Sequence, residues 1–260
     1  LSTLIGEREY WGQGYAKDIW KHIIHFGFQI VKVRKFTMGN AAGNKAASGK
    51  TLSVGAKLEA TKKQHALIGE DYHDIGYIRL STTPNHRVLS RRISVLEGTE
   101  DALVLASGMA AIAGSLFSVL SAGDHVLVQD TLYGGTASLI AGDMKRFNID
   151  HSVIDPQKPS SWVEVLTPAT KAVYVETLTN PLIQLADLEA VVTFAKEHGL
   201  VSLIDNTFAS PINFRPAEFG FDLVIESCTK YMNGHSDIVA GSVAGSAPLV
   251  GGVKRFNDHF

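Results

Sequence analysis

The chain has 260 residues, of which 45% are hydrophobic and 19% charged, with a formal net charge of -2 and a sequence pI near 6.6. This balance is typical of a globular chain with a sizeable core, and it indicates no basic surface for nucleic acid or an anionic membrane. The longest apolar stretches fall far short of the ~20 residues that span a bilayer. The single cysteine, Cys228, cannot form an internal disulfide, so we expect a cytoplasmic protein.

The first predicted elements in chain order are a loop, a helix and a strand. After Gly12 and Gly14, apolar residues recur at helical spacing over residues 16–27. Val31 and Val33 then alternate with basic residues, which is the pattern of a strand.

From residue 85 onward, helical and strand patterns alternate. A helical stripe containing Val88, Leu89, Ile93 and Leu96 is followed by Gly98, which is typical of a helix end. Further along lie compact apolar runs that suit buried strands, separated by helical stretches. The predicted strands are residues 102–106, His125–Gln129, 171–176, 200–205 and 222–226, and the predicted helices are residues 107–120 and 187–198. This alternation predicts a doubly wound α/β fold.

Polar groups occur where several of these strands end. Residues 107–109 lie between a strand and a helix, where free N–H groups can bind phosphate. Asp205 ends one strand, and Lys230 follows the next after Ser227 and Thr229. Taken singly, each feature also has an ordinary structural interpretation: residues 107–109 as a common helix start, Asp205 as a cap for the following loop, and Lys230 as a surface lysine. Together they provide a lysine, an acid and phosphate donors, which are the groups that pyridoxal 5'-phosphate (PLP) requires.

Seven segments, in order, resemble the PLP-dependent enzymes of Cys/Met metabolism, a family that includes cystathionine γ-synthase, cystathionine lyases, methionine γ-lyase and homoserine sulfhydrylases. They are residues 96–98, 106–111, 121–124, 132–136, 179–181, 205–211 and 227–237. The resemblance implies the large domain of PLP fold type I over residues 77–260, with a mostly parallel mixed sheet and helices on both faces. It also implies β- or γ-elimination, or γ-replacement, on cystathionine, methionine or homoserine esters.

The resemblance implies roles for individual residues. Lys230 would carry PLP as a Schiff base, Asp205 would pair with the ring nitrogen, and Tyr133 would stack on the ring and assist proton transfer. Tyr77 and Arg79 would reach the phosphate of a neighbouring subunit, which implies a homodimer or homotetramer with shared active sites. The other implied cofactor-binding residues are Ser107, Gly108, Met109, Asn180, Thr207, Ser227 and Thr229.

The front of the chain has a different resemblance. The Gly-x-Gly turn within residues 10–16, together with Asn44 and residues 54–59, is similar to the C-terminal half of GNAT acetyltransferases. We therefore expect a partial GNAT-like α/β segment over residues 1–76, followed by a PLP domain that lacks a smaller C-terminal domain and its carboxylate-binding arginine. An acetyl-coenzyme A-dependent N-acetyltransferase fragment and an inactive PLP-binding module are the alternative functions.

We expect no metal site. His22 and His25 are three residues apart on the predicted first helix, but the sequence places no third ligand near them.

Overall fold

A computed structural model describes residues 9, 12–30, 36–41, 45, 49, 52–53, 56–68, 71–80 and 84–258. Its contacts divide the chain into two compact units, Leu1–Asn85 and His86–Phe260. The boundary predicted after residue 76 falls within a strand of the first unit.

The first unit contains a helix and a small antiparallel sheet. Helix α1 (Tyr15–Gln29) confirms the predicted first helix, and it begins after Gly14, whose φ of 89° is a left-handed conformation that suits glycine. The strands are β1 (Phe36–Ala41), β2 (Lys57–Ile68) and β3 (Asp71–Leu80), arranged in the order β1-β3-β2. The strand predicted at Val31 and Val33 lies outside the described residues.

The second unit, with the helix that leads into it, alternates helices and strands as predicted. The elements are α2 (Pro84–Glu97), β4 (Asp101–Leu105), α3 (Gly108–Val119), β5 (His125–Gln129), α4 (Gly134–Ser138), β6 (Asp150–Ile154), β7 (Thr170–Glu176), α5 (Leu188–His198), β8 (Val201–Asp205), α6 (Ser210–Asn213), α7 (Pro216–Phe219), β9 (Leu223–Glu226), β10 (Gly241–Gly245) and α8 (Ala247–Asn257). A π-helical turn (Leu139–Met144) and a 3-10 helix (Pro159–Val165) complete the set among the described residues.

These strands form one seven-stranded sheet in the order β4-β10-β9-β8-β7-β5-β6. Strands β5 to β9 are parallel to one another, and β10 is antiparallel to both β4 and β9. The α/β class and the mostly parallel mixed sheet are therefore confirmed. Because parallel strands end at the same edge, the carboxyl ends of β7, β8 and β9 lie side by side.

The core occupies both faces of this sheet, since successive strand residues point to opposite sides. On one face, Val173, Ile204 and Val224 pack with helix α5. On the other face, Tyr174 and Leu203 pack with helices α3 and α8. Helices thus cover each face of the sheet. The last residue of a strand points to the same face as the residue two positions before it, which tells the face on which its side chain lies.

Several features differ from the sequence predictions, and one is strand β6, which was not predicted. The helical stripe of α2 is displaced, because Val88, Leu89 and Leu96 are exposed whereas Ile93 and Glu97 are buried. Strand β10, with the sequence Gly-Ser-Val-Ala-Gly, was not predicted because its residues are small rather than strongly apolar. It passes too close to the turn at Ser107 for any side chain at Gly241.

Candidate active site

A cavity of about 710 Å³ opens at the edge of the sheet where β7, β8 and β9 end and α3 begins. All ten site residues that the sequence predicted within the second unit line it. They are Ser107, Gly108, Met109, Tyr133, Asn180, Asp205, Thr207, Ser227, Thr229 and Lys230. The remaining wall is mostly apolar, so the polar groups converge on a restricted region, as is usual for a small-molecule site.

The beginning of helix α3 provides free backbone donors. The Ser107 side chain caps the helix by accepting a hydrogen bond from Ala110 N (3.0 Å), and the first intrahelical bond runs from Ala111 N to Ser107 O (3.1 Å). The N–H groups of Gly108 and Met109 therefore precede the helical hydrogen-bond pattern and lie at the positive end of the helix dipole. These groups suit a phosphate.

Glycine is required at position 108 for a steric reason. A Cβ atom there would lie 2.7 Å from Ser227 Cβ and 2.8 Å from Ser227 Oγ. The start of α3 and the loop after β9 can approach each other this closely only because residue 108 has no side chain. This contact brings the Ser227 hydroxyl next to the free N–H groups of the helix.

Asp205 lies at the end of β8, half-buried against the cavity, with its carboxylate accepting from Thr207 N at 3.0 Å. Burial raises the pKa of this carboxyl, while hydrogen bonding from Thr207 acts in the opposite direction. The groups that stabilise its charged form are thus neutral donors. A cation that approached Asp205 from the cavity would stabilise it further.

Thr207 connects Asp205 to the lysine loop. Its hydroxyl accepts a hydrogen bond from Ser227 N at 2.8 Å, and its own N–H donates to Asp205. The loop then turns through a bond from Lys230 N to Ser227 O (2.9 Å), and the Lys230 side chain is exposed at the cavity. Thr207 therefore links Asp205, at the end of β8, to the loop after β9 that carries Lys230.

Thr229 lies in the cavity wall, but its hydroxyl is already engaged. It donates to Ala240 O at 3.2 Å and accepts from Ala240 N at 3.1 Å. Its proton is thus used by the backbone of the segment that leads into β10. Among the implied phosphate donors, the Ser227 hydroxyl and the N–H groups at the start of α3 are therefore better placed than Thr229 to donate to a phosphate.

The structure also brings a residue into the site that sequence reasoning missed. Glu176 ends β7, is 4% exposed, and lines the cavity beside Asp205, its register partner on β8. Its Oε1 accepts from Tyr133 N at 2.6 Å and its Oε2 accepts from Asn180 N at 3.2 Å. The signal that identified Asp205, a carboxylate ending a buried strand, was equally present at Glu176.

The Tyr133 ring has little freedom at its base. A Cβ atom on Gly135 would lie 2.6 Å from Tyr133 Cε1 and 3.0 Å from Met109 Sδ. The ring therefore packs over a glycine and near the start of α3, and 46% of Tyr133 remains exposed. A ring so placed can contact a planar group in the cavity.

A second acidic cluster lies on the opposite face of the sheet. Glu97 ends α2 and Glu226 ends β9, and they are 0% and 1% exposed. Asn206 Nδ2 donates to Glu226 Oε1 at 3.2 Å, whereas neither oxygen of Glu97 has a hydrogen-bond partner among the described residues. Burial raises the pKa of both carboxyls, and Glu226 rises further because of the Glu97 charge.

Tyr77 and Arg79 belong to the first unit. In β3, Tyr77 lies opposite Gly39 and Ala60 in register, and Arg79 lies opposite Thr37 and Lys57. Their role at a neighbour's phosphate stays a prediction.

The cavity residues fit PLP group by group. Free N–H groups at a helix start suit the phosphate, the Asp205 carboxylate, which forms no ion pair with a described residue, suits a protonated ring nitrogen, and Tyr133 suits the ring face. Lys230 is exposed at the cavity, as covalent attachment of an aldehyde requires. Among the described residues, no group of three or more His, Cys, Asp or Glu side chains could hold a metal ion. In the same part of the chain, no helix is long and apolar enough to cross a membrane.

Comparison with protein families gives a match over most of the chain. The family described as "Cys/Met metabolism PLP-dependent enzyme" matches residues 39–259. The match begins within residues 1–76, the segment for which a GNAT-like origin was predicted, and that resemblance is not supported by any finding.

Similar proteins of known activity agree with the family match. Cystathionine beta-lyase MetC of Bacillus subtilis is 38% identical over 196 residues, which are 75% of this chain and 50% of that protein. L-methionine gamma-lyase of Pseudomonas putida is 40% identical over 178 residues, 68% of this chain and 44% of that protein. Cystathionine gamma-synthase/O-acetylhomoserine (thiol)-lyase of Bacillus subtilis is 40% identical over 184 residues, with coverages of 71% and 48%. The chain spans about half the length of the curated relatives it matches.

Proposed function

Because the chain belongs to the Cys/Met metabolism family of PLP-dependent enzymes, we propose that it provides the cofactor-binding part of a carbon–sulfur lyase or a cystathionine synthase-type enzyme. The substrates in this proposal are sulfur amino acids and their precursors, namely cystathionine, methionine or homoserine esters. The relatives that support it include a cystathionine β-lyase, a methionine γ-lyase and a cystathionine γ-synthase.

One observation carries the proposal. Lys230 and Asp205 lie on adjacent strand ends, are linked through Thr207, and share a cavity with the free N–H groups of Gly108 and Met109. A surface lysine, a loop cap and an ordinary helix start would not be expected to meet in one cavity. The convergence of all three favours a cofactor site.

The chemistry divides between the cofactor and the chain. PLP, when bound, supplies an electron sink for the carbanion that forms when the substrate Cα loses its proton. The Asp205 carboxylate would keep the cofactor ring nitrogen protonated, and the start of α3 with Ser227 would hold the phosphate. The Lys230 amine would serve as the base that removes the Cα proton, and Tyr133, which lines the same cavity, would assist proton transfer.

The partner proposal rests on Tyr77 and Arg79. A guanidinium binds phosphate in a bidentate manner, so Arg79 would strengthen a cofactor site in another subunit if the enzyme is a homodimer or homotetramer. The test is to mix the Arg79→Ala and Lys230→Ala variants. Recovery of PLP binding above that of either variant alone supports shared sites, and no recovery argues against them. We also propose a cytoplasmic location, where the single buried cysteine, Cys228, stays reduced.

The proposed function is tested by covalent capture of the cofactor. The purified chain is incubated with PLP, reduced with borohydride and digested, and the modified peptide is identified by mass spectrometry. We expect modification at Lys230 and none in Lys230→Ala, whereas the exposed lysine variant Lys171→Ala should behave like the wild type. A reducible chromophore that persists in Lys230→Ala would contradict the assignment.

The reaction class is tested by product analysis. β-Elimination from cystathionine releases pyruvate and ammonia, whereas γ-elimination releases 2-oxobutanoate and ammonia. Assays with cystathionine, methionine and an acylhomoserine therefore distinguish the two. A protein that captures PLP at Lys230 but forms none of these products with any of the three substrates would contradict the proposed reactions.

A further inference from the structure

We propose that Glu176 is a positioning residue, whose carboxylate holds the backbones of Tyr133 and Asn180 in the places where their side chains meet the cofactor. This inference rests on the proposed function, since it concerns how the cofactor site is organised. It assigns to Glu176 a contribution made through two other residues rather than through contact with the reacting atoms.

The geometry of the carboxylate is the first argument. Each of its two oxygens accepts a hydrogen bond from a different loop, Oε1 from Tyr133 N at 2.6 Å and Oε2 from Asn180 N at 3.2 Å. Tyr133 precedes the short helix after β5, and Asn180 lies in the loop after β7. These loops are 43 and 4 residues from Glu176 along the chain, so one side chain joins segments that local structure leaves independent.

The rigidity of the support is the second argument. Glu176 ends a strand whose residues 172–176 are all buried, and its own N–H donates to Gln129 Oε1 at 3.0 Å. Gln129 ends β5 and is 1% exposed. The Glu176 backbone is thus held in the sheet by strand pairing and by Gln129. Its carboxylate can therefore fix the two loops relative to the sheet.

The need for support is the third argument. Tyr133 is 46% exposed, and its N-cap position carries no side-chain capping bond. The helix that begins at Gly134 holds the Tyr133 carbonyl, which accepts from Ala137 N at 2.9 Å, but the Tyr133 N–H precedes the helical hydrogen-bond pattern and requires a partner from outside the helix. The charge-assisted bond from its N–H to Glu176 is therefore a large part of what orients it.

The positioning role of Glu176 can be measured because its carboxyl changes charge near neutral pH. Burial raises its pKa to about 7, and the neighbouring Asp205 charge adds to the rise, while the N–H donors of Tyr133 and Asn180 oppose it. The titratable groups around it are Asp205 on β8, Tyr174 on its own strand, and Lys230 and Tyr231 in the cavity wall. Protonation removes one anionic acceptor, so both loop amides should sense the titration of this single carboxyl.

The first test uses the wild-type chain without PLP. Amide resonances of Tyr133 and Asn180 are followed by NMR through neutral pH, with hydrogen exchange measured at the same two sites. We expect both amides to shift with one common midpoint near pH 7 and, after correction for the intrinsic pH dependence of exchange, to be less protected on the acidic side of it. Amides that do not titrate, or that titrate with two unrelated midpoints, would overturn the proposal.

The second test uses Glu176→Gln, which keeps the volume but leaves only one oxygen to accept, with Glu226→Gln as the control. Glu226 is also a buried carboxyl at a strand end, but it does not line the cavity. We expect Glu176→Gln to abolish the common titration and to weaken PLP binding about tenfold, since one charge-assisted bond is lost. The circular dichroism of the bound cofactor should also change, because the position of the Tyr133 ring changes. The control should leave all three measurements as in the wild type.

The outcomes separate this inference from the proposed function. If wild-type amides titrate together but the wild-type chain fails to bind PLP, the positioning role stands and the cofactor proposal falls. If PLP binds with equal affinity and equal circular dichroism to the wild type and Glu176→Gln, the positioning role falls and the cofactor proposal stands. A Glu176→Gln variant that fails to fold leaves the decision to the wild-type titration, which requires no substitution.

Discussion

Two pairs of carboxyl groups lie on opposite faces of the same sheet edge, and they differ in access to the cavity. The open pair, Glu176 and Asp205, follows Tyr174 and Leu203 on the α3 face. The sealed pair, Glu97 and Glu226, lies on the other face, where Glu226 follows Val224. Three backbone N–H groups donate to the open pair, whereas the sealed pair receives only the Asn206 amide from the described residues.

The difference shows that burial alone does not make a catalytic carboxylate. All four groups have a raised pKa, chiefly because burial disfavours the charged form. The open pair can reach an anionic state because donors are supplied and a cation can enter from the cavity. The sealed pair receives one amide donor, from Asn206 to Glu226, and the charge of Arg215 lowers the pKa of Glu97 only in part. Burial and the mutual repulsion of the two carboxylates outweigh these contributions, so a proton retained between the two carboxyls is the less costly solution.

The largest expected effect comes from the open pair. Asp205→Asn should weaken PLP binding by roughly 10- to 100-fold, because a hydrogen bond to a charged group contributes ~1.5–3 kcal/mol. An equilibrium titration of the chain with PLP, followed by visible absorbance, measures this. Glu226→Gln should leave the affinity unchanged, so equal losses in both variants would remove the functional distinction between the two pairs.

A smaller effect is expected at Gly108, where the start of α3 contacts the lysine loop. Gly108→Ala would place a Cβ atom 2.7 Å from Ser227 Cβ, so the start of α3 must move away from the lysine loop. We expect PLP binding to weaken about tenfold and the free energy of unfolding to fall by ~1–3 kcal/mol. The matched control is Gly142→Ala, where an added Cβ meets nothing within 4 Å. A Gly108→Ala variant as stable and as tightly binding as the control would show that the close contact is unimportant.

The smallest effect concerns the sealed pair, and it is a change in stability rather than binding. The pKa of Glu226 rises from 4.5 to about 9 on folding, so the folded state holds this proton more tightly than the unfolded state. Its contribution to the free energy of unfolding is complete below about pH 4.5 and is lost as the pH rises through about 9. Glu226→Gln cannot ionise, so the variant should lose less stability than the wild type between neutral and alkaline pH.

The size of that difference should be on the order of 2 kcal/mol, given ~1.4 kcal/mol per pKa unit and the sharing of one proton between two carboxyls. Chemical denaturation of both proteins across the same pH range measures it. Glu164→Gln, which removes an exposed carboxylate, should leave the pH dependence of the wild type unaltered. If Glu226→Gln loses stability with pH as steeply as the wild type, Glu226 does not hold the proton.

Much of the cofactor site could be predicted from local sequence. Asp205 and Lys230 were located because each follows a buried apolar run, and a parallel sheet brings such positions to one edge. The start of α3 was located because a small-residue turn separates a strand from a helix. The structure places these groups in one cavity, while their individual chemical roles stay predictions.

Other features could not be obtained in this way. The hydrogen bonds between the Thr229 hydroxyl and Ala240 join segments that local sequence does not connect, and the role of Thr229 at the phosphate stays a prediction. Strand β10 escaped prediction because its fit depends on small residues that avoid contact with Ser107 and Asp222, rather than on an apolar pattern. The predicted apolar stripe of α2 was displaced because packing buried Glu97 with Ile93 instead of Leu89.

The sequence by itself determined the class of fold, the ends of five strands, and the lysine, acid and helix start that suit PLP, because periodicity and the chemistry of side chains are local properties. Only the tertiary structure decided that Glu176 joins the loops of Tyr133 and Asn180, and that Glu226 meets Glu97 on the far side of the sheet. The physical reason is that strand order and side-chain direction set which carboxyls receive donors and which receive none. These depend on the packing of segments that are distant along the chain.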